Sequence, residues 1–170
     1  MEFPTLAEPK DRFNTGKARY SGRIKISGND NITLLNVNKA MEAARQAGKD
    51  KLRDGNGKVP PLSDLKTPLH YNDEDNTYYI NGYNTRRPEV VDRNKEKLDP
   101  AEVHPGAFVR VVLDFYAYRH GDKCGITCTL ALVQKIKDGE RPVYGSALDD
   151  LPDLDGDGSD DDDDDDGILP

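Results

Sequence analysis

The sequence predicts an all-β protein: a small β-barrel carrying one α-helix and followed by a disordered acidic tail. Three observations lead there. Short segments alternate apolar with polar residues, one stretch repeats its apolar residues every three or four positions, and the chain carries seven consecutive aspartates near its C-terminus. Alternation marks half-buried strands, and the longer period marks a helix lying on a surface. A run of five or more like charges repels itself and stays unfolded.

The first strand is "ARYSGRIKI" (18–26), with Tyr20, Ile24 and Ile26 on one side and Arg19, Arg23 and Lys25 on the other. In the next stretch Leu34, Val37, Met41, Ala44 and Ala47 recur at helical steps, which predicts a helix over 32–47. Asp30 or Asn31 supplies its N-cap and Gly48 its stop. Residues 54–68 are rich in glycine and proline and read as loop. "NTYYINGYN" (76–84) is a second strand, dense in tyrosine; the basic "TRRP" and a short "EVVD" strand follow, then the loop 99–106.

The longest β signal is "AFVRVVLDFYAYRHGDKCGITCTLALVQKI" (107–136), two strands joined by a turn in which Gly121 supplies a positive φ. Val109, Val111, Leu113, Phe115 and Ala117 share one face of its first strand, and Ile126, Cys128, Leu130 and Leu132 one face of the second. These are the expected core. The opposite face of the first strand presents Phe108, Arg110, Tyr116 and Tyr118. Five β segments with one helix and long basic loops fit a five-stranded OB-fold best among small barrels.

Composition allows one modest core, with 35% hydrophobic residues, 33% charged and no tryptophan among 170 residues. No apolar run approaches the roughly 18–20 residues that a bilayer requires. The N-terminal "MEFPTLAEPKDRF" lacks the basic-then-apolar order of a signal peptide, so a cytoplasmic protein is expected. Cys124 and Cys128 lie four residues apart on one predicted strand, a separation of roughly 13 Å that no disulfide spans. The three widely spaced histidines offer no zinc pattern. No cofactor is required by anything in the pattern.

The net charge of −8 conceals two opposed segments. Twelve aspartates and no basic residue lie from Asp149 onward. Residues 1–148 hold all 24 basic residues against the remaining 20 acidic ones, a net of +4. Such asymmetry points to nucleic-acid or other charged partners. It also suggests one domain over 1–148 and a tail over 149–170.

The body carries a basic and aromatic constellation. Tyr79, Tyr83, Phe108, Tyr116 and Tyr118 are candidate stacking platforms; Arg19, Arg23, Lys25, Arg86, Arg87 and Arg110 are candidate phosphate contacts. Single-strand binding needs this combination, because only unpaired bases offer their flat faces to aromatic rings. The competing account is that tyrosines merely cover a small barrel, since strands favour them. In the tail, Asp153, Asp155, Asp157 and Gly158 match positions of a calcium loop, but no glutamate closes it and no amphipathic helix flanks it. "KISGNDN" and "DGNGK" do not match a phosphate-binding loop. No catalytic site emerges, although Asp73, Asp75 and Asp114 are scattered carboxylates from which a metal nuclease could be assembled.

Several stretches in order resemble the single-stranded DNA-binding proteins of tailed bacteriophages: "FPTLAEP" (3–9), "KARYSGRIKI" (17–26), "AMEAARQAGK" (40–49), "YYINGYNTRRPEVVD" (78–92) and residues 106–140. "FYAY", the glycine turn and "VQKIKDGE" are the most specific of these. The resemblance implies an OB-fold that coats single strands during replication, recombination and repair in the host cytoplasm. It also implies an acidic tail that contacts replication or recombination proteins. Here the tail elements would be Asp160, Asp161, Asp162, Asp163, Asp164, Asp165 and Asp166 with Ile168 and Leu169, since the chain closes on "GILP" where the better-known pattern closes on phenylalanine.

The 22 residues from Asp149 extend up to roughly 70–80 Å. That length lets the tail reach a basic groove anywhere on the body and compete there with DNA. The expectation is therefore a non-enzymatic, sequence-tolerant single-stranded DNA-binding protein, with self-association left open. The alternatives are a DNA-mimicking interaction protein that inhibits a host nucleic-acid enzyme, and a metal-dependent nuclease.

Overall fold

The alternation in residues 18–26 becomes a strand in which Gly22, Ile24 and Ile26 are buried facing a barrel interior, while Ser21 is buried on the other face against Thr5. The computed structural model describes residues 1–11 and 16–140. The acidic segment, every tail residue named above and the expected boundary at 148 lie outside the described residues. The strands are β1 (Glu2–Lys10), β2 (Arg19–Ser27), β3 (Leu69–Asn72), β4 (Thr77–Asn84), β5 (Glu89–Val91), β6 (Phe108–His120) and β7 (Lys123–Lys137). Helix α1 (Asn31–Ala47) and the short α2 (Lys49–Leu52) lie between β2 and β3.

Pairing is antiparallel from β1 to β2 and from β2 to β4, parallel from β4 to β7 at Tyr83 and Thr129, and antiparallel from β7 to β6. Closure comes from the first residue. The Met1 amino group donates to the Ala107 carbonyl at 2.7 Å, and the Gly106 N–H donates to the Met1 carbonyl at 2.9 Å. The start of β1 thereby meets the start of β6. The cycle β1-β2-β4-β7-β6 is the five-stranded OB barrel. Among the described residues β3 and β5 are additions, pairing β4 and β7 respectively.

Two strands escaped the sequence reading. β1 contains Pro4 and Pro9, which argue against a strand interior, yet its ladder shifts register on both sides of Thr5. Prolines are tolerated at such irregularities because no ladder donor is needed there. β3 is only four residues long and half exposed, too short to show a period.

Helix α1 begins one residue before its predicted start and ends at the predicted one. The Asp30 carboxylate accepts the Thr33 N–H at 3.1 Å, closing an N-cap. The Gly48 N–H donates to the Ala44 carbonyl at 2.9 Å at the other end. A Cβ at Gly48 would stand 2.2 Å from that of Ala117, so glycine also lets the helix end approach β6. Val37, Met41 and Ala44 are the buried face of α1. They join Leu6, Ile24, Ile26, Ile80, Ile126, Cys128 and Leu130 in the core.

The core phase of β7 corrects one expectation. Val112 pairs with Leu132 while Leu113 pairs with Leu130, leaving Ala131 as an extra residue. This bulge moves the side chains from Leu132 to Lys135 to the other face, up to a second register shift at Ile136. Val133 is consequently buried where Leu132 was expected, and Leu132 sits beside the exposed Val112 on the outside.

Candidate nucleic-acid interface

The outer face of the barrel gathers the polar phases of four strands. On β2 these are Arg19, Ser21, Arg23 and Lys25; across the ladder Ser21 faces Tyr83, Arg23 faces Asn81 and Lys25 faces Tyr79 on β4. The parallel junction places Thr129 of β7 beside Tyr83. Thr127 and Gly125 follow, opposite Tyr116 and Tyr118 of β6. A groove of about 470 Å³ forms where these strands meet, and Arg19, Tyr83, Tyr116 and Tyr118 all line it. Four of the candidate residues, from three strands, thus share one concavity.

Lys66 and His70 line the same groove and were missed. They belong to a segment read as loop and to the unrecognised β3. The Ile126 N–H donates to the Lys66 carbonyl at 2.8 Å, which pins this segment across β7. Gly125 makes the approach feasible, because a Cβ there would stand 2.5 Å from that carbonyl and 3.1 Å from the Tyr118 ring. A glycine within a strand pattern is the signal that marked the close contact.

The remaining candidates are placed differently. The Arg23 guanidinium lies 4.5 Å from the Tyr79 ring centroid and its Nε donates to Asn81 at 3.1 Å. His70 stacks on the same ring at 5.0 Å. Lys25 pairs with Asp75 at 2.5 Å and with Glu2 at 3.9 Å. The hydrogen bond with Asp75 holds the Lys25 ammonium above its ordinary value and the Asp75 carboxyl below the usual carboxylate range. Lys25 therefore stays charged but is already paired with two carboxylates where it stands.

Arg86 and Arg87 follow β4 and do not line the groove. The Arg87 guanidinium donates to the Ala7 carbonyl at 2.8 Å and lies over Tyr20, while Arg86 is exposed. Phe108 and Arg110 share the outer phase of β6 with Tyr116 and Tyr118, but at the far end of a 13-residue strand. Phe108, 55% exposed, packs under the Lys137 ammonium at 4.6 Å. With Arg110 it borders a different opening, about 630 Å³, between α1, β2 and β6. The same strand face thus serves two separate places.

Among the described residues, no three His, Cys, Asp or Glu side chains gather into a metal site. Asp75 is committed to Lys25 and Thr77, and Asp114 faces Thr129 on the outer sheet. Nor is any described helix long and apolar enough to cross a membrane.

Comparison with known proteins decides the family. Residues 1–166 match the family described by the Enterobacter phage Enc34 ssDNA-binding protein. This chain belongs to that family. A relative, protein p50 of Acyrthosiphon pisum secondary endosymbiont phage 1, is 29% identical over 160 residues, covering 82% of this chain and 80% of its own. The solved structure of the bacteriophage Enc34 protein in complex with ssDNA matches with a TM-score of 0.66 and 18% identity, over 82% of each chain. The single-stranded DNA binding protein gp2.5 encoded by bacteriophage T7 matches with a TM-score of 0.64 and 13% identity, over 91% of each chain. At those identities the structural likeness is one of fold, and the barrel described above is the shared element. Family membership agrees with the resemblance read in the sequence.

Proposed function

We propose that this member of the family binds single-stranded DNA with little sequence preference. Unpaired bases lie on Tyr83, Tyr116 and Tyr118, while Arg19 and neighbouring cations meet the phosphates. The observation that carries this reading is the single groove to which β2, β4 and β6 contribute a cation and three aromatic rings. Aromatic faces accept any base, and cations track a backbone that is the same for every sequence, so the combination is sequence-tolerant. Binding of this kind needs no catalytic step.

On this reading the protein coats single strands during phage DNA replication, recombination and repair, in the cytoplasm of the host. The twelve aspartates from Asp149 onward compete with DNA for the basic body and, once displaced, recruit replication or recombination proteins. Family membership and the opposed charges of body and tail support this extension.

Labelled single- and double-stranded oligonucleotides, mixed with the protein with and without magnesium, test the reading. Tight, sequence-tolerant binding of the single strand without cleavage is expected. Magnesium-dependent cleavage would replace the proposal with a nuclease. Absence of binding would favour the DNA-mimicking tail as the active part.

A further inference from the structure

The Tyr79 ring is already in contact with a side chain from each neighbouring strand. Its strand, β4, runs between β2 and β3 at this point, with Lys25 opposite Tyr79 on one side and His70 opposite it on the other. Arg23, from the β2 side, lies 4.5 Å from the ring centroid. His70, from the β3 side, stacks at 5.0 Å with 27° between the planes. The three side chains form a column, guanidinium, phenol and imidazole, that runs across the outer sheet from β2 over β4 to β3. Its last member is exposed. Among the described strands β3 pairs with β4 alone, so no further strand covers His70.

We infer that His70 is a base-stacking residue of the interface and that Tyr79 is a positioning residue acting through it. The inference rests on the proposed binding of single strands. It adds a fourth platform beside Tyr83, Tyr116 and Tyr118, in the same groove, contributed by a strand outside the five-stranded barrel. A ring stacked on one face is held flat with its rotamers restricted, so a base gains contact area on the other face at a small ordering cost. Lys66, four residues earlier on the same groove wall, brings an ammonium within reach of the phosphate that accompanies that base. The interface also has a boundary: at the β3–β4 turn the acidic run Asp73–Glu74–Asp75 repels phosphate and Asp75 takes up Lys25, so the strand leaves the sheet at His70.

The test is a fluorescence-anisotropy titration of labelled oligothymidylate with the full chain and four variants, His70→Ala, His70→Phe, Tyr79→Ala and Tyr83→Ala. Loss of one stacked base predicts an affinity about 5- to 100-fold lower for His70→Ala. His70→Phe should return to within a few-fold of the parent, because a ring and not a charge is needed. Tyr79→Ala, which removes the ring that holds His70 flat, should weaken binding by a smaller factor than His70→Ala does, and parental affinity for it would overturn the positioning role. In the parent, nuclear magnetic resonance should show the His70 ring protons moving upfield when the oligonucleotide is added. Parental affinity for His70→Ala beside a weakened Tyr83→Ala would overturn this inference and leave the proposed function intact. Failure of His70→Phe to recover would overturn the stacking role. No binding by the parent, or none lost by Tyr83→Ala, would overturn the proposed function itself.

Discussion

Tyr116 and Phe115 are adjacent in sequence and do opposite work. Tyr116 is 47% exposed on the outer face of β6, whereas Phe115 points inward and packs against the core while remaining half-buried. Tyr116→Ala or Tyr118→Ala should each weaken single-strand binding by about 1–3 kcal/mol and leave the melting temperature unchanged. Phe115→Ala should leave binding nearly intact and cost about 2–3 kcal/mol of stability, less than a fully buried phenylalanine would. Paired titrations and thermal melts separate the two; a Tyr116 variant that melts early and binds normally would reverse the faces. Burial pushes the Cys128 thiol up to about 12, so the neutral thiol favours the fold. That contribution is complete below the unfolded value of 9.0 and is lost as the pH rises toward 12, because the unfolded thiol ionises first. Iodoacetamide at pH about 8 should accordingly modify Cys128 only at the rate of unfolding. Rapid labelling of the native protein at this residue would show that β7 does not bury it.

Elements with a clean period were legible from residues alone; elements defined by their partners were not. α1 was readable because its apolar repeat, its Asp30 cap and its Gly48 stop agree. β2, β4 and β6 were readable because one face is buried and the other wet. β1 was hidden by Pro4 and Pro9, whose tolerance depends on an irregular ladder that only β2 reveals. The bulge at Ala131 was hidden because the run Leu130–Ala131–Leu132–Val133 is apolar on both phases. The interface followed the same rule. Tyr83, Tyr116 and Tyr118 stood out as aromatics on a non-core face, but period could not say that Phe108 lies too far along the same strand to join them. Lys66 and His70 enter only through a tertiary contact, the backbone bond between Lys66 and Ile126 across Gly125. Gly125→Ala should therefore both destabilise the protein, by about 1–3 kcal/mol as a forced contact in a packed site does, and weaken single-strand binding by displacing that wall. Parental affinity in a folded Gly125→Ala protein would detach the segment from the interface.

At the scale of the whole molecule the opposed charges of body and tail set the expectations. The described body is basic and the segment from Asp149 is acidic, and on the proposed reading DNA bound by the body competes with that segment. Log affinity for single strands should fall linearly with log salt, with a slope near −0.7 for each phosphate neutralised. Replacing Arg19 and Lys66 by glutamine should make that slope shallower by about 1.4. Removing residues 149–170 should tighten binding at low salt, and the gain should shrink as salt screens the attraction between groove and tail. Equal affinity with and without the tail at low salt would falsify the competition, though not the binding. Where the strand lies on the barrel decides the account as a whole, and photo-crosslinking reads it directly. Oligothymidylate carrying 5-iodouracil, bound to the full chain, irradiated and mapped by mass spectrometry, should attach to Tyr83, Tyr116 or Tyr118. Attachment confined to Phe108 and the opening beside α1, with none on those three tyrosines, would contradict it.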